Sequence, residues 1–203
     1  MILERDCVAY SINSAIKIDS KRVSNFEEIE MLSDCITYQI HRYNWVDPIR
    51  YKEKLISKST KSVSMIYFKN QLTIFLFGNS ESNISYVESR LKRLFPIHFE
   101  RVDLYPKIIN KLSSNNHKFN VINIQFVRVK DNLEKWVSID TNGLSKIELV
   151  KILSEEKPQT ISLYDELNKT YFSVDVNSSL SFNDTSTISD IVGVLEYVSL
   201  CIS

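Results

Sequence analysis

Val63-Ser-Met-Ile-Tyr-Phe68 and Leu72-Thr-Ile-Phe-Leu-Phe77 flank the short polar turn Lys69-Asn70-Gln71. Both runs are rich in β-branched and aromatic residues, the side chains that pack well on a pleated surface, so the stretch predicts a β-hairpin. Its second run places Leu72, Ile74 and Leu76 on one face and Phe75 and Phe77 on the other. A strand apolar on both faces must be covered on both, which predicts a central position in a sheet.

Working outward, the pattern turns helical on the C-terminal side. Ser85-Tyr-Val-Glu88 has capping-box spacing, and Ile84, Val87, Leu91 and Leu94 make one apolar stripe up to Pro96. His98–Leu104 reads as a third strand, Lys107–Leu112 as a short helix behind Pro106, and Ser113-Ser-Asn-Asn116 as a linker. Phe119–Val129 and Trp136–Ile139 are the next strands. Ser145-Lys-Ile-Glu148 opens a helix, and Thr160–Tyr164 and Thr170–Val176 form a hairpin around Glu166-Leu-Asn168. Thr187-Ile-Ser-Asp190 caps a last helix, Ile188–Ile202, which is apolar nearly all round.

On the N-terminal side the reading is a strand within Cys7–Ile18 and a turn at Asp19-Ser20-Lys21. A helix then runs from the capping box Ser24-Asn-Phe-Glu27 to Tyr43, with Ile29, Leu32, Ile36, Ile40 and Tyr43 on its core face and His41 near its C-terminal end. Pro48 starts a further solvated helix to about Ser57.

These elements predict an α+β fold: mainly antiparallel sheet built from β-hairpins, with amphipathic helices packed on it. Strand, strand, helix, strand occurs twice, at 63–104 and 119–164, without residue-level similarity between the copies. The chain divides either into two lobes, 1–115 and 116–203, or forms one compact domain.

Composition narrows the function classes. The 203 residues are 43% hydrophobic and 25% charged, ordinary for a globular chain. No run of about 18 apolar residues suits a spanning helix, and Met1-Ile-Leu-Glu-Arg-Asp6 lacks the basic start of a secretory signal, so a cytoplasmic setting without membrane contact is expected. Cys7, Cys35 and Cys201 are too far apart for a disulfide framework or a zinc site and read as reduced thiols. Three glycines, Gly78, Gly143 and Gly193, leave no phosphate-cradling loop, and no cofactor is expected. Net charge is zero, yet residues 1–130 hold 20 Lys+Arg against 13 Asp+Glu and residues 131–203 hold 5 against 12, that is +7 and −7.

Three functional readings follow. The leading one is a non-catalytic accessory or assembly subunit acting through protein–protein contacts, within a nucleic-acid-processing complex. Its partner is another protein or a second copy, met by Ile191, Leu195, Val198 and Ile202 of the last helix. The second is a nucleic-acid-binding module. From His41 to Lys61, Arg42, Arg50, Lys52, Lys54, Lys58 and Lys61 alternate with Tyr43, Trp45 and Tyr51, and Arg90, Lys92 and Arg93 lie off the stripe of their helix. Cations hold phosphates and rings stack bases. The third is a divalent-metal-dependent nuclease built from Asp103, Asp140, Asp165 and Asp175 at strand ends, with Glu148 and Lys151 one helical turn apart. No HxxxH, HExxH or CxxC spacing and no Gly-x-Ser-x-Gly elbow occurs.

Overall fold

The computed structural model describes residues 4–51, 54–114, 118–130 and 133–202, with backbone alone at 22, 48–51, 54–58 and 130. The fold is α+β, with twelve antiparallel strands and four helices among these residues. The chain separates into two compact units, Met1–Arg101 and Val102–Ser203.

The first unit contains β1 (Asp6–Ile12), β2 (Lys21–Ser24), β3 (Glu27–Asp34), β4 (Tyr38–Tyr51), β5 (Lys54–Phe68), β6 (Thr73–Phe77), α1 (Glu81–Leu94) and β7 (Phe99–Arg101). The strands pair in the order β2-β3-β4-β5-β6-β1, and β7 pairs with Tyr10–Ile12 of β1. As the sequence predicts, β5 and β6 form a hairpin, from Phe68 opposite Thr73 to Ser64 opposite Phe77. All five residues of β6 are buried, on both faces, between β5 and β1. Tyr10, Tyr43, Met65, Ile74 and Leu76 share one sheet face with Ile84, Val87 and Leu91 of α1. Each removes apolar surface from water, worth about 1.5–3 kcal/mol for a large side chain.

The second unit contains α2 (Leu104–Ser113), β8 (Phe119–Lys130), β9 (Leu133–Asp140), α3 (Lys146–Glu155), β10 (Thr160–Asp165), β11 (Thr170–Asp175), β12 (Ser179–Phe182) and α4 (Ile188–Ile202). Its strand order is β12-β11-β10-β8-β9. Ile161, Leu163, Phe172 and Val174 alternate with polar residues and are buried, and α4 lies against β11 and α2. Gly193 permits that approach, because a Cβ there would fall 2.1 Å from Asn168 Oδ1. The capping boxes at Ser145 and Thr187 are present: Ser145 and Glu148 bond reciprocally, and Thr187 does the same with Asp190. Strand, strand, helix, strand thus occurs in both units, but the pairing differs, since β10 joins β8 whereas β7 joins β1. With the division after Arg101, the first unit carries 15 Lys+Arg against 12 Asp+Glu and the second 10 against 13, so the charge contrast falls to +3 and −3.

The predicted helix over 24–43 is overturned: this segment is the β2–β3 turn, β3 and the start of β4. The Ser24 hydroxyl accepts from the Phe26 amide, holding a turn, instead of capping a helix. Ile36, expected in the core stripe, is 95% exposed in the β3–β4 connection. The helix over 48–57 is also overturned, because Pro48 pairs with Lys58 and Ile49 with Ser57 across β4 and β5. Pro48 lies past the last β4 residue paired with β3, where an open edge tolerates a missing N–H. The cap at Ser85 moves to Ser80, whose side chain accepts from the Asn83 amide. Leu72 is not in the strand but in the turn, at φ 50°.

His41 is not at a helix end but fully buried on β4, opposite Met65. Burial pushes its pKa down to about 4, against the weaker upward pull of Asp34 and Asp19. Nε2 lies 3.3 Å from Gln39 Oε1, so the ring donates there in its neutral form. In the unfolded chain an ordinary imidazole takes its proton near pH 6.5. Stability is therefore expected to fall as pH drops from about 6.5 towards 4, by about 3 kcal/mol in total. Urea midpoints between pH 7 and 4.5 check this: His41→Gln should flatten the wild-type slope, and an equal slope in both proteins would contradict it.

Candidate functional site

The residue sequence 46–62 alternates poorly and carries Pro48, yet β4 and β5 stay paired to Tyr51 opposite Lys54. Beyond Val46, whose amide donates to the Phe26 carbonyl at 3.0 Å, no third strand pairs with them among the described residues. Pairing of β3 with β4 ends at Trp45, and pairing of β6 with β5 ends at Ser64. Val46–Tyr51 and Lys54–Lys61 therefore form a two-stranded ribbon beyond the sheet, about 20 Å long at ~3.3 Å per residue. A register shift between Ile49 and Arg50 marks a bulge, which bends and twists such a ribbon. Thr60 and Ser62 are exposed, and Lys61 meets Asp47 at 2.5 Å on its surface. A lone two-stranded hairpin is marginally stable in water, so this one is anchored at its root.

At the root, Trp45 is buried and stacked on Tyr86 of α1, with ring centroids 4.8 Å apart. The Glu27 carboxylate, at the start of β3 and opposite Trp45, accepts from the Tyr86 hydroxyl and the Arg90 guanidinium. Burial raises the Glu27 carboxyl, but Tyr86 and Arg90 together pull it below the usual carboxylate range. Burial and the bond to Glu27 push Tyr86 up to about 12. The Tyr43 hydroxyl beside Arg90, with Glu27, holds that guanidinium charged above its ordinary range. Tyr43 itself completes no hydrogen bond of good geometry. Beside this cluster a 310 Å³ cleft is lined by Asn25, Phe26, Glu27, Asn44, Trp45 and Thr60. The cluster is a clamp: it ties α1 to the strand ends from which the ribbon departs. Spacing did not reveal it, because Glu27 lies 59 residues from Tyr86 and 63 from Arg90.

The expected nucleic-acid residues are divided by the structure. Arg50 and Lys54 belong to the ribbon backbone, whereas Lys52 lies outside the described residues. Arg42 is half-buried on β4, and register places it on the opposite face from Trp45. On α1, Arg90 is paired with Glu27, Lys92 with Glu88 at 2.6 Å, and Arg93 is exposed. The rings expected to stack bases, Tyr43 and Trp45, are in the core. On α4, Ile191, Leu195 and Val198 are completely buried and Ile202 is half-buried.

The carboxylates considered for a nuclease each accept hydrogen bonds, all but Asp103 from residues close in sequence. Asp165 accepts from the Leu167 and Asn168 amides, Asp175 from those of Asn177 and Ser179, and Asp140 from that of Asn142. Asp103 accepts from Ser178, whose oxygen accepts from the Tyr105 amide and so closes the start of α2. Glu148 caps α3. Turn chemistry accounts for Asp140, Asp165 and Asp175, helix capping for Glu148, and a side-chain bond to Ser178 for Asp103. Among the described residues no three of His, Cys, Asp or Glu are grouped to hold a metal ion. A wide cleft of about 820 Å³ opens beside Asp140, Asn142, Gly143 and Lys146, and at the α3 end the Glu148 amide already meets the Ser145 hydroxyl. No described helix is long and apolar enough to cross a membrane.

A scan of protein-family models and a search of curated proteins both found no match to this chain.

Proposed function

We propose that the protein is a non-catalytic accessory subunit that works by contact within a nucleic-acid-processing assembly, with the β4–β5 ribbon as its contact element. One observation supports this most: β4 and β5 stay paired well past the last residues that β3 and β6 reach. A ribbon without neighbours adds little to the core, and its exposed edges offer backbone groups to a partner. The clamp of Glu27, Tyr86 and Arg90 gives it a fixed root. The carboxylates engaged at turns lend no support to metal-assisted cleavage.

The test is to shorten the ribbon. Val46 and Thr60 are opposite each other, so an Asn-Gly turn joining them closes the hairpin in register. The shortened chain should unfold within a few degrees of the full chain and lose the partner that the full chain captures from its native host. Retention of that partner, or no saturable partner for the full chain, overturns the proposal.

A further inference from the structure

We infer that β9 is a docking edge for a second copy of this chain, paired antiparallel to itself about a two-fold axis at Trp136. This edge lies wholly in the second unit and does not involve the β4–β5 ribbon. Among the described residues β9 pairs with β8 alone, so its other side offers unpaired amides and carbonyls. Leu133–Trp136, Ser138 and Asp140 are exposed, so nothing covers the strand. Strand edges are commonly blunted by shortness, proline or a bulge. The first unit's edge strand, β2, is blunted in this way, with four residues and a register shift between Arg22 and Ser24. β9 has eight residues, no proline and an unshifted register from Asp140 to Leu133. Trp136 is 63% exposed on one face, opposite half-buried Val127 of β8.

The charges along the strand select the occupant. Across a two-fold axis normal to a sheet, contacts are reciprocal and each strand face stays on its own side. Even-numbered residues must then meet even-numbered ones, and odd must meet odd. Two registers of this kind pair seven of the eight residues of β9. The one centred on Val137 sets Glu134 opposite Asp140 of the second copy, a like-charge pair that destabilises a sheet. The one centred on Trp136 sets Trp136 opposite itself, Lys135 opposite Val137, Glu134 opposite Ser138 and Leu133 opposite Ile139. No like charges are opposed there. The shorter register centred on Lys135 sets that lysine against itself. In the Trp136 register Val127, Trp136 and their copies form one apolar stripe from β8 to the β8 of the second copy. The chain's formal net charge is zero, so no long-range repulsion opposes the approach.

Seven residues a side is small against the roughly 20–30 of a standard interface, so the expected dissociation constant is on the order of 50 µM. Sedimentation velocity on the full chain from about 5 to about 500 µM should show monomer passing into dimer. By symmetry position 138 meets Glu134 twice in the dimer, so Ser138→Lys should tighten it about fivefold and Ser138→Glu should loosen it about fivefold. Trp136→Glu sets two carboxylates against each other at the axis and should remove the dimer over this range. All three changes are at exposed positions, so thermal unfolding should remain close to wild type. If Trp136→Glu fails to fold, the two Ser138 variants still decide. The chain with the shortened β4–β5 ribbon should dimerise as the full chain does. A monomer at about 500 µM, an undiminished dimer in folded Trp136→Glu, or equal affinities for the two Ser138 variants would overturn the inference. Loss of the dimer on shortening the ribbon alone would overturn it too, by moving the contact to that element.

Discussion

Leu195→Asp is expected to cost the second unit at least about 5 kcal/mol and to abolish its folded state at room temperature. Leu195 has no exposed surface and sits in the middle of α4, among Ile191, Val194 and Val198. The substitution loses the burial of a leucine, about 2–5 kcal/mol with its cavity, and adds an unpaired carboxylate to an apolar site. That sum rivals the whole stability of an ordinary domain, about 5–15 kcal/mol. Leu200→Asp is the control on the same helix, because Leu200 is 57% exposed. It should change the unfolding free energy by no more than about 0.5 kcal/mol. A folded Leu195→Asp protein would show that α4 does not hold its own unit together. A subunit contact through Ile191, Leu195 and Val198 would require the unit to open first.

The second large effect is at the clamp. Glu27→Ala should destabilise the first unit by about 3 kcal/mol, since it leaves Arg90 and Tyr86 without their shared acceptor in a largely buried place. The lower part of the usual range applies, because the Arg90 side chain is 27% exposed and water can reach it. Trp45 is the reporter: it is buried against Tyr86, and its fluorescence should shift towards that of a solvated indole as the clamp loosens. The sign with pH is fixed by the direction of the shift. Glu27 is held below its ordinary carboxylate range, so its contribution is present above the unfolded value near 4.3 and is lost as pH falls through the lower folded value. Glu27→Ala should therefore show less acid destabilisation below about pH 4 than wild type. An unchanged acid limb, or a loss under 1 kcal/mol, would show that α1 is held by its apolar stripe alone.

The sequence was most legible where patterning and local chemistry agreed. The β5–β6 hairpin, β8 to β11, α3 and α4 combine clear periodicity with turn or capping residues at their ends. The segment 24–45 was misread because its buried strand positions are partly polar. Glu27, Gln39 and His41 all point inward in the folded chain, and together they hide the period-2 pattern that Ile29, Tyr43 and Trp45 would otherwise show. Ile29, Leu32, Ile36 and Ile40 meanwhile fit a helical stripe by coincidence, while Ser24 and Glu27 mimic a capping box. The inward Glu27 makes sense only with its distant partners, Tyr86 and Arg90. Local patterning contains no trace of such pairs.

The candidate site was half legible. Basic residues in 41–61 stood out as charge, but the ribbon that carries some of them was read as a helix, and two of the rings between them, Tyr43 and Trp45, proved to be core. The acids at strand ends were visible as residue types; their bonds to nearby amides explain their placement better than a shared ion does.

Hydrogen exchange on the amides of residues 46–51 and 54–61, in the free chain and with the partner captured from the native host bound, tests the contact role of the ribbon most directly. In the free chain these amides should exchange far faster than those of β6, which is buried on both faces, and the bound partner should slow them selectively. Ribbon amides as slow as β6 in the free chain, or slowing confined to another surface when the partner is bound, would contradict the account.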